Sequence, residues 1–170
     1  TATAEVGTDM QTGEKSQFEV SVNADQTSKI KVFSGSARVH AQCKEVEVKA
    51  HQMTEVRVDQ PPRDPVPLPS AVSLQGPLGG ASFYYANFPP QIHFSWTPSL
   101  SAVKYHLEIA KDFQFRSMVF EEHVSSNTFL YGNLKLGQYY WRVRAVDRQG
   151  EDGEPSETRQ IEVAQYTKPP

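Results

Sequence analysis

The chain has one cysteine, Cys43, in 170 residues. A single thiol excludes an internal disulfide and any zinc site built on several cysteines. It fits the cytosol, and it fits equally an envelope protein that does without disulfides. No apolar run approaches the ~20 residues that a membrane helix needs. No Lys/Arg cluster is longer than two residues and the net charge is −3, which argues against nucleic acid as the main partner. There is no initiator methionine; the chain opens on Thr1. A processed or excised piece is therefore expected, and the missing targeting signal carries no information about compartment. No glycine-rich phosphate loop leads into a helix, and no serine or cysteine stands in a nucleophile motif with a strand-ordered His/Asp partner. A hydrolase is remote, and no catalytic residue, cofactor or metal is expected.

What is present is alternation. Hydrophobic residues make up 38% of the chain and aromatics 11%, enough for a packed core and against wholesale disorder. The longest clean period-2 pattern is 134–147. There Tyr139, Trp141, Val143 and Ala145 fall on one face and Tyr140, Arg142 and Arg144 on the other. Such a stretch is a half-buried antiparallel strand. The same period runs through the first part of the chain, in Phe18, Val20 and Val22, in Ile30 and Val32, in Ala37, Val39 and Ala41, in Val46, Val48 and Ala50, and in Val56 and Val58. Strands here are short and separated by turn clusters such as Asn23–Thr27 and Ser34-Gly35.

Residues 60–69 carry Pro61, Pro62, Pro65, Pro67 and Pro69. Proline has a fixed φ and no N–H, so the segment is expected to be an extended, semi-rigid linker outside any sheet. A crossover inside one domain is the alternative. The expected organisation is a β domain over 1–60, a linker over 61–70, a second β domain over 71–165 and a tail over 166–170. In the second domain, Ile92, Phe94 and Trp96 alternate, as do Tyr105, Leu107 and Ile109. Shorter strands follow at Val119–Phe120, Phe129–Tyr131 and Ile161–Val163, with a corner at Asp112–Ser117. About seven short strands at this spacing read as a β-sandwich.

The second domain matches Phe94-Ser95-Trp96-Thr97-Pro98, then Ala102, Tyr105, Leu107, Ile109 and Ala110, then Leu134 and Gly137 leading to Tyr139, Trp141, Val143, Ala145 and Asp147, then Gly150 and Ser156. In these residues it resembles a fibronectin type III domain. The resemblance implies an immunoglobulin-like sandwich with Tyr139 at the tyrosine corner. There is no RGD tripeptide, so the integrin-binding role of some members is not implied. The loop before Trp96, 82–90, is long and aromatic for that family. The first domain has Thr3 to Asp9, Phe18-Glu19-Val20, Thr27 to Val32, Gly35 to Val39 and a close over Val46 to Val56. In these it resembles the second half of a FecR-type domain, with 10–17 as an insertion and the family's upstream strands absent. That resemblance implies an antiparallel β-sheet or β-coil with an open edge. It also implies a bacterial envelope setting, periplasmic or extracellular, and a binding or signalling role, in company with LysM-type peptidoglycan-binding modules. The expected fold class is all-β throughout.

Four groups of residues could carry chemistry. Phe83, Tyr84, Tyr85 and Phe88 lie in a Gly/Pro-bounded stretch; they either plug the sandwich end or the inter-domain seam, or form a binding platform for a sugar or a protein. Asp147, Glu151, Asp152 and Glu154 cluster in one stretch and could hold calcium, but a solvated turn is the preferred reading. His40, Cys43 and His51 could be zinc ligands; alternation places Cys43 inward with Ala41, so a buried structural thiol is preferred. Arg142 and Arg144 could grip a carboxylate or stack on aromatics, with an exposed strand face preferred. The reading that follows is a non-catalytic interaction, scaffolding or signalling module. Its partners would be envelope proteins, and a homodimer could form through an open sheet edge. A carbohydrate- or peptidoglycan-binding accessory module is the alternative.

Overall fold

A computed structural model describes residues 3–7 and 16–167. Thr8 and Asp9 of the FecR-like motif, most of the 10–17 insertion and residues 168–170 of the tail lie outside the described residues. Among the described residues every regular element is a strand, so no helix is long and apolar enough to cross a membrane. The all-β expectation holds. The chain divides into two compact units, Thr1–Leu68 and Pro69–Pro170.

In the first unit the strands are β1 (Thr3–Gly7), β2 (Gln17–Val22), β3 (Ser28–Ser34), β4 (Ser36–Ala41), β5 (Lys44–Lys49), β6 (Gln52–Val56) and β7 (Val66–Pro67). They form two sheets, ordered β1-β4-β5 and β2-β3-β6-β7. Every pairing is antiparallel. The alternation predicts the core: Ile30 and Val32 from β3 and Val56 from β6 join Ala37, Val39, Ala41, Val46 and Val48 in one buried cluster. Gly35, at φ 76°, takes the chain from one sheet into the other, a conformation that costs glycine no Cβ clash.

The stretch expected to be a free linker is partly built into this unit. Val66 and Pro67 pair with Met53 and Gln52. The Arg63 N–H donates to the Glu55 carbonyl at 2.9 Å, and the Leu68 N–H donates to the His51 carbonyl at 2.9 Å. Leu68 is buried. Proline is tolerated because β7 is an edge strand and the missing N–H is not needed by a further neighbour. Leu68, the residue after Pro67, supplies the N–H donor that proline lacks.

The second unit contains β8 (Leu74–Gly76), β9 (Ala81–Tyr85), β10 (Ile92–Trp96), β11 (Lys104–Ala110), β12 (Met118–Val124), β13 (Thr128–Tyr131), β14 (Gly137–Val146), β15 (Asp152–Pro155) and β16 (Arg159–Gln165). Sheet β13-β10-β8 faces sheet β12-β11-β14-β16-β9, with β15 pairing on β14. Their inner faces share one core. Ile92, Phe94 and Trp96 come from the smaller sheet, and Tyr105, Leu107, Ile109, Tyr139, Trp141, Val143, Ala145, Ile161 and Val163 from the larger. Phe94 meets Trp141 edge-on at 4.9 Å, and Trp96 meets Tyr105 at 5.6 Å; such pairs add about 0.5–1.5 kcal/mol each beyond area burial. The Tyr139 hydroxyl donates to the Lys135 carbonyl at 2.9 Å, which is the tyrosine-corner bond. This unit is the expected sandwich. It has three strands that the pattern does not show: β8; β9, read as loop; and β15, read as an acidic turn.

Candidate functional site

Among the described residues of the first unit, β2 carries an uncovered apolar row. β2 ends the strand order, with β3 as its neighbour. In an antiparallel pair, directly opposed residues point to the same face. Phe18 opposes Val32 and Val20 opposes Ile30, so both belong to the core face. Yet Phe18, Val20 and Val22 are 45%, 51% and 66% exposed, whereas Ile30 and Val32 are buried. The core face thus runs out beneath β2 and leaves a row of three apolar side chains. β2 contains neither proline nor lysine, the residues that commonly block edge pairing.

The aromatic group of the second unit is divided by its strand. β9 pairs in parallel with β16, Phe83 opposite Val163 and Tyr85 opposite Gln165. Alternation then sends Phe83 and Tyr85 onto the sandwich core and Tyr84 outward. Tyr84 and Phe88 are exposed, and Tyr84 meets Tyr166 edge-on at 6.4 Å. Core plugging describes one pair and surface display the other.

The acidic residues also separate. The Asp147 carboxylate accepts the Gln149 and Glu151 N–H groups, each at 2.9 Å, and so closes its own turn. Asp152 opens β15 and faces the histidines of β11 and β12 instead. The Glu154 N–H donates to the Pro69 carbonyl. The buried-thiol reading of Cys43 is corrected: Cys43 is exposed. The strand ends at Ala41, and Gln42 and Cys43, at φ 47° and 61°, make the two-residue hairpin turn into β5, whose twist demands positive φ at both positions. The alternation was carried two residues past the strand's end. His40 and His51 are exposed as well.

Arg142 and Arg144 are not an exposed face either. Arg142 grips the Glu108 carboxylate with Nε to Oε2 at 2.7 Å and Nη2 to Oε1 at 3.0 Å. Arg144 adds Nε to Oε2 at 3.3 Å. The Arg142 guanidinium also lies over the Phe115 ring, 3.9 Å from its centre. The carboxylate-gripping alternative is the one observed. Glu108 sits on β11 directly across from Arg142, a pairing that depends on register and that no local pattern announces. Burial pushes the Glu108 carboxyl up, but the Arg142 hydrogen bond and the charges of Arg142, Arg144 and His106 outweigh it and hold it below its ordinary range.

One turn along the same face lies a group that the sequence reading missed. His106 on β11 stands directly across from His123 on β12, and their rings stack at 4.3 Å and 13°. His106 Nδ1 is 2.9 Å from Asp152 Oδ2, and His123 Nε2 is 3.9 Å from Asp152 Oδ1. Glu121 Oε2 lies 3.6 Å from His106 Nε2. Burial disfavours the charged imidazolium, but the Asp152 hydrogen bond and the charges of Asp152, Glu108 and Glu121 prevail, so His106 titrates above its ordinary 6.5. The only available signal was the β11–β12 register. It is obscured by the irregularity between Ile109 and Ala110.

No family model matches the sequence, and no curated protein matches it. Among solved structures, the chain is similar to the fibronectin(III)-like modules of CbhA from Clostridium thermocellum. They are 14% identical, with a TM-score of 0.43, over 56% of this chain and 99% of that one. It is similar also to the fibronectin type-III domain of human fibronectin type III domain containing protein 3, at 16% identity and a TM-score of 0.44 over 59% and 91% of the two chains. The FN5 domain of Drosophila Lar is 20% identical, with a TM-score of 0.38, over 56% and 98%. These neighbours are fibronectin type III domains, and the likeness is one of fold.

Proposed function

We propose that the chain is a non-catalytic interaction segment of a bacterial envelope protein, periplasmic or extracellular, and that a partner protein docks on β2. The observation that carries this reading is the row Phe18, Val20 and Val22, exposed on the face that is core one strand away. An extended partner segment laid along β2 would continue the sheet and cover the row. That is recognition by strand addition, with main-chain bonds giving affinity and alternate side chains giving specificity. Covering half-exposed apolar side chains contributes on the order of 1 kcal/mol each. The FecR-like motif supports the envelope setting and a scaffolding or signalling role.

The test is a photo-crosslinking residue at Val20 in the chain expressed in a Gram-negative envelope. A discrete partner adduct is expected, lost on Val22→Lys. Adducts no different from those obtained at exposed Leu100 of the second unit, or unchanged by Val22→Lys, would overturn the reading. A second reading, a glycan- or peptidoglycan-binding accessory module, is favoured by the outward Tyr84 and Phe88 and by the Tyr84–Tyr166 pair. Under that reading Tyr84→Ala with Phe88→Ala abolishes retention on peptidoglycan while near-ultraviolet circular dichroism stays native.

A further inference from the structure

We propose that His106, His123 and Asp152 form a binding site for a first-row divalent cation of the zinc class, which clips strand β12 to strand β15 across β11 and β14. Each residue comes from a different strand. One ligand atom from each lies within 4.8 Å of the others. Bonds of about 2.0–2.2 Å to one tetrahedral ion put donors roughly 3.3–3.5 Å apart, so closing the group takes small side-chain rotations. His123, with its side chain 50% exposed, is placed to make them. Asp152 already directs one oxygen toward each histidine.

The donor set decides the metal class. Two imidazoles and a carboxylate suit Zn²⁺, Co²⁺, Ni²⁺ or Cu²⁺, whereas Ca²⁺ and Mg²⁺ require oxygen ligands. An outer carboxylate is also in place. Glu121 stands 3.6 Å from His106 Nε2, where it can accept that N–H and leave the Nδ1 lone pair for the ion, the usual support of a ligating histidine. Arg144, the cross-strand neighbour of His106, is held by Glu108. Three protein ligands leave a fourth position for water or for a donor from a docked partner. The structural effect falls on two strands with few other ties: β12 ends its sheet, and β15 pairs only on β14 among the described residues.

The experiment is calorimetric titration of the untagged, metal-stripped chain with ZnCl₂, paired with the visible spectrum of the Co²⁺ form. One equivalent of Zn²⁺ and an intense tetrahedral Co²⁺ band are expected. His123→Ala and Asp152→Asn should abolish both, and Glu121→Gln should weaken Zn²⁺ binding about tenfold, the low end for loss of an outer carboxylate. His123 lies at the surface, so its variant should keep the near-ultraviolet dichroism of Trp96 and Trp141; native dichroism with binding lost supports the site. A variant with His40, His51 and His93 replaced by Ala should bind as the parent does. Absence of saturable Zn²⁺ uptake, or uptake that survives His123→Ala and Asp152→Asn but vanishes in the three-histidine variant, would overturn the proposal.

Discussion

Glu108→Gln tests whether the second unit depends on its buried ion cluster. The three side chains are 7%, 19% and 9% exposed for Glu108, Arg142 and Arg144. Glutamine keeps the shape and one acceptor oxygen but removes the negative charge that the Arg142 and Arg144 guanidinium groups share in a largely desolvated place. Breaking a buried pair on one side costs about 3–5 kcal/mol, and the retained acceptor places this variant near 3 kcal/mol. That is a large share of the ~5–15 kcal/mol that holds a small domain together. At roughly 4–8 °C per kcal/mol the midpoint falls by about 12–24 °C. Both tryptophans of the chain, Trp96 and Trp141, lie in the second unit's core, so urea unfolding followed by tryptophan fluorescence reports this unit and ignores the first. A companion variant with Glu108→Leu, Arg142→Leu and Arg144→Met should come back close to the parent, because a buried cluster gains little over well-packed apolar residues. A Glu108→Gln cost under about 1 kcal/mol, the value of a surface pair, would refute the claim that these charges are desolvated and mutually dependent.

Tyr139→Phe removes only the corner hydroxyl that bonds the Lys135 carbonyl and should cost about 1 kcal/mol in the same urea assay; no loss would show that the bond is not formed in solution. Asp112 accepts the N–H groups of Ser117, Arg116 and Gln114, and these bonds, Ser117 first, hold its carboxyl below the ordinary 3.8 against the opposing effect of desolvation. Its contribution is therefore present above 3.8 and is lost as pH falls through the lowered folded value. The Gln114, Arg116 and Ser117 amide resonances should titrate below pH 3.8 and stop titrating in Asp112→Asn. Cys43, exposed in the β4–β5 turn, should react with a thiol reagent to one equivalent without denaturant, and a thiol that needs unfolding to react would restore the buried reading.

Legibility in the sequence followed the range of the interactions. β14 could be read because its signal is local: Tyr139, Trp141, Val143 and Ala145 alternate within one strand, and all four are buried. The sandwich core followed from the same rule applied to Phe94, Trp96, Leu107 and Ile109. β9 could not be read, because a parallel strand against β16 is defined by a partner some eighty residues away. The Glu108 and His106 clusters failed for the same reason, since each side chain gets its partner from cross-strand register. Cys43 failed differently. Alternation says which face a residue takes, but it does not say where a strand stops, and turn residues at positive φ that are not glycine give no local warning. Pro67 shows the limit of a composition rule: proline is excluded from a sheet's interior but not from its edge.

The two ends of the β2-β3-β6-β7 sheet are treated in opposite ways among the described residues, and that contrast is the argument for the proposed docking edge. β7 is two residues long, carries Pro67 and ends the sheet with a ladder of two pairs, as natural edges do when further pairing is to be avoided. β2 is six residues long, lacks proline, and shows Phe18, Val20 and Val22 to solvent. An apolar row on an unblunted edge is an aggregation hazard unless something covers it. In the second unit polar side chains of the outer face pair with one another, Glu108 with two arginines and His106 with Asp152. In the first unit the exposed apolar row lies along β2, where the proposed partner strand would cover it.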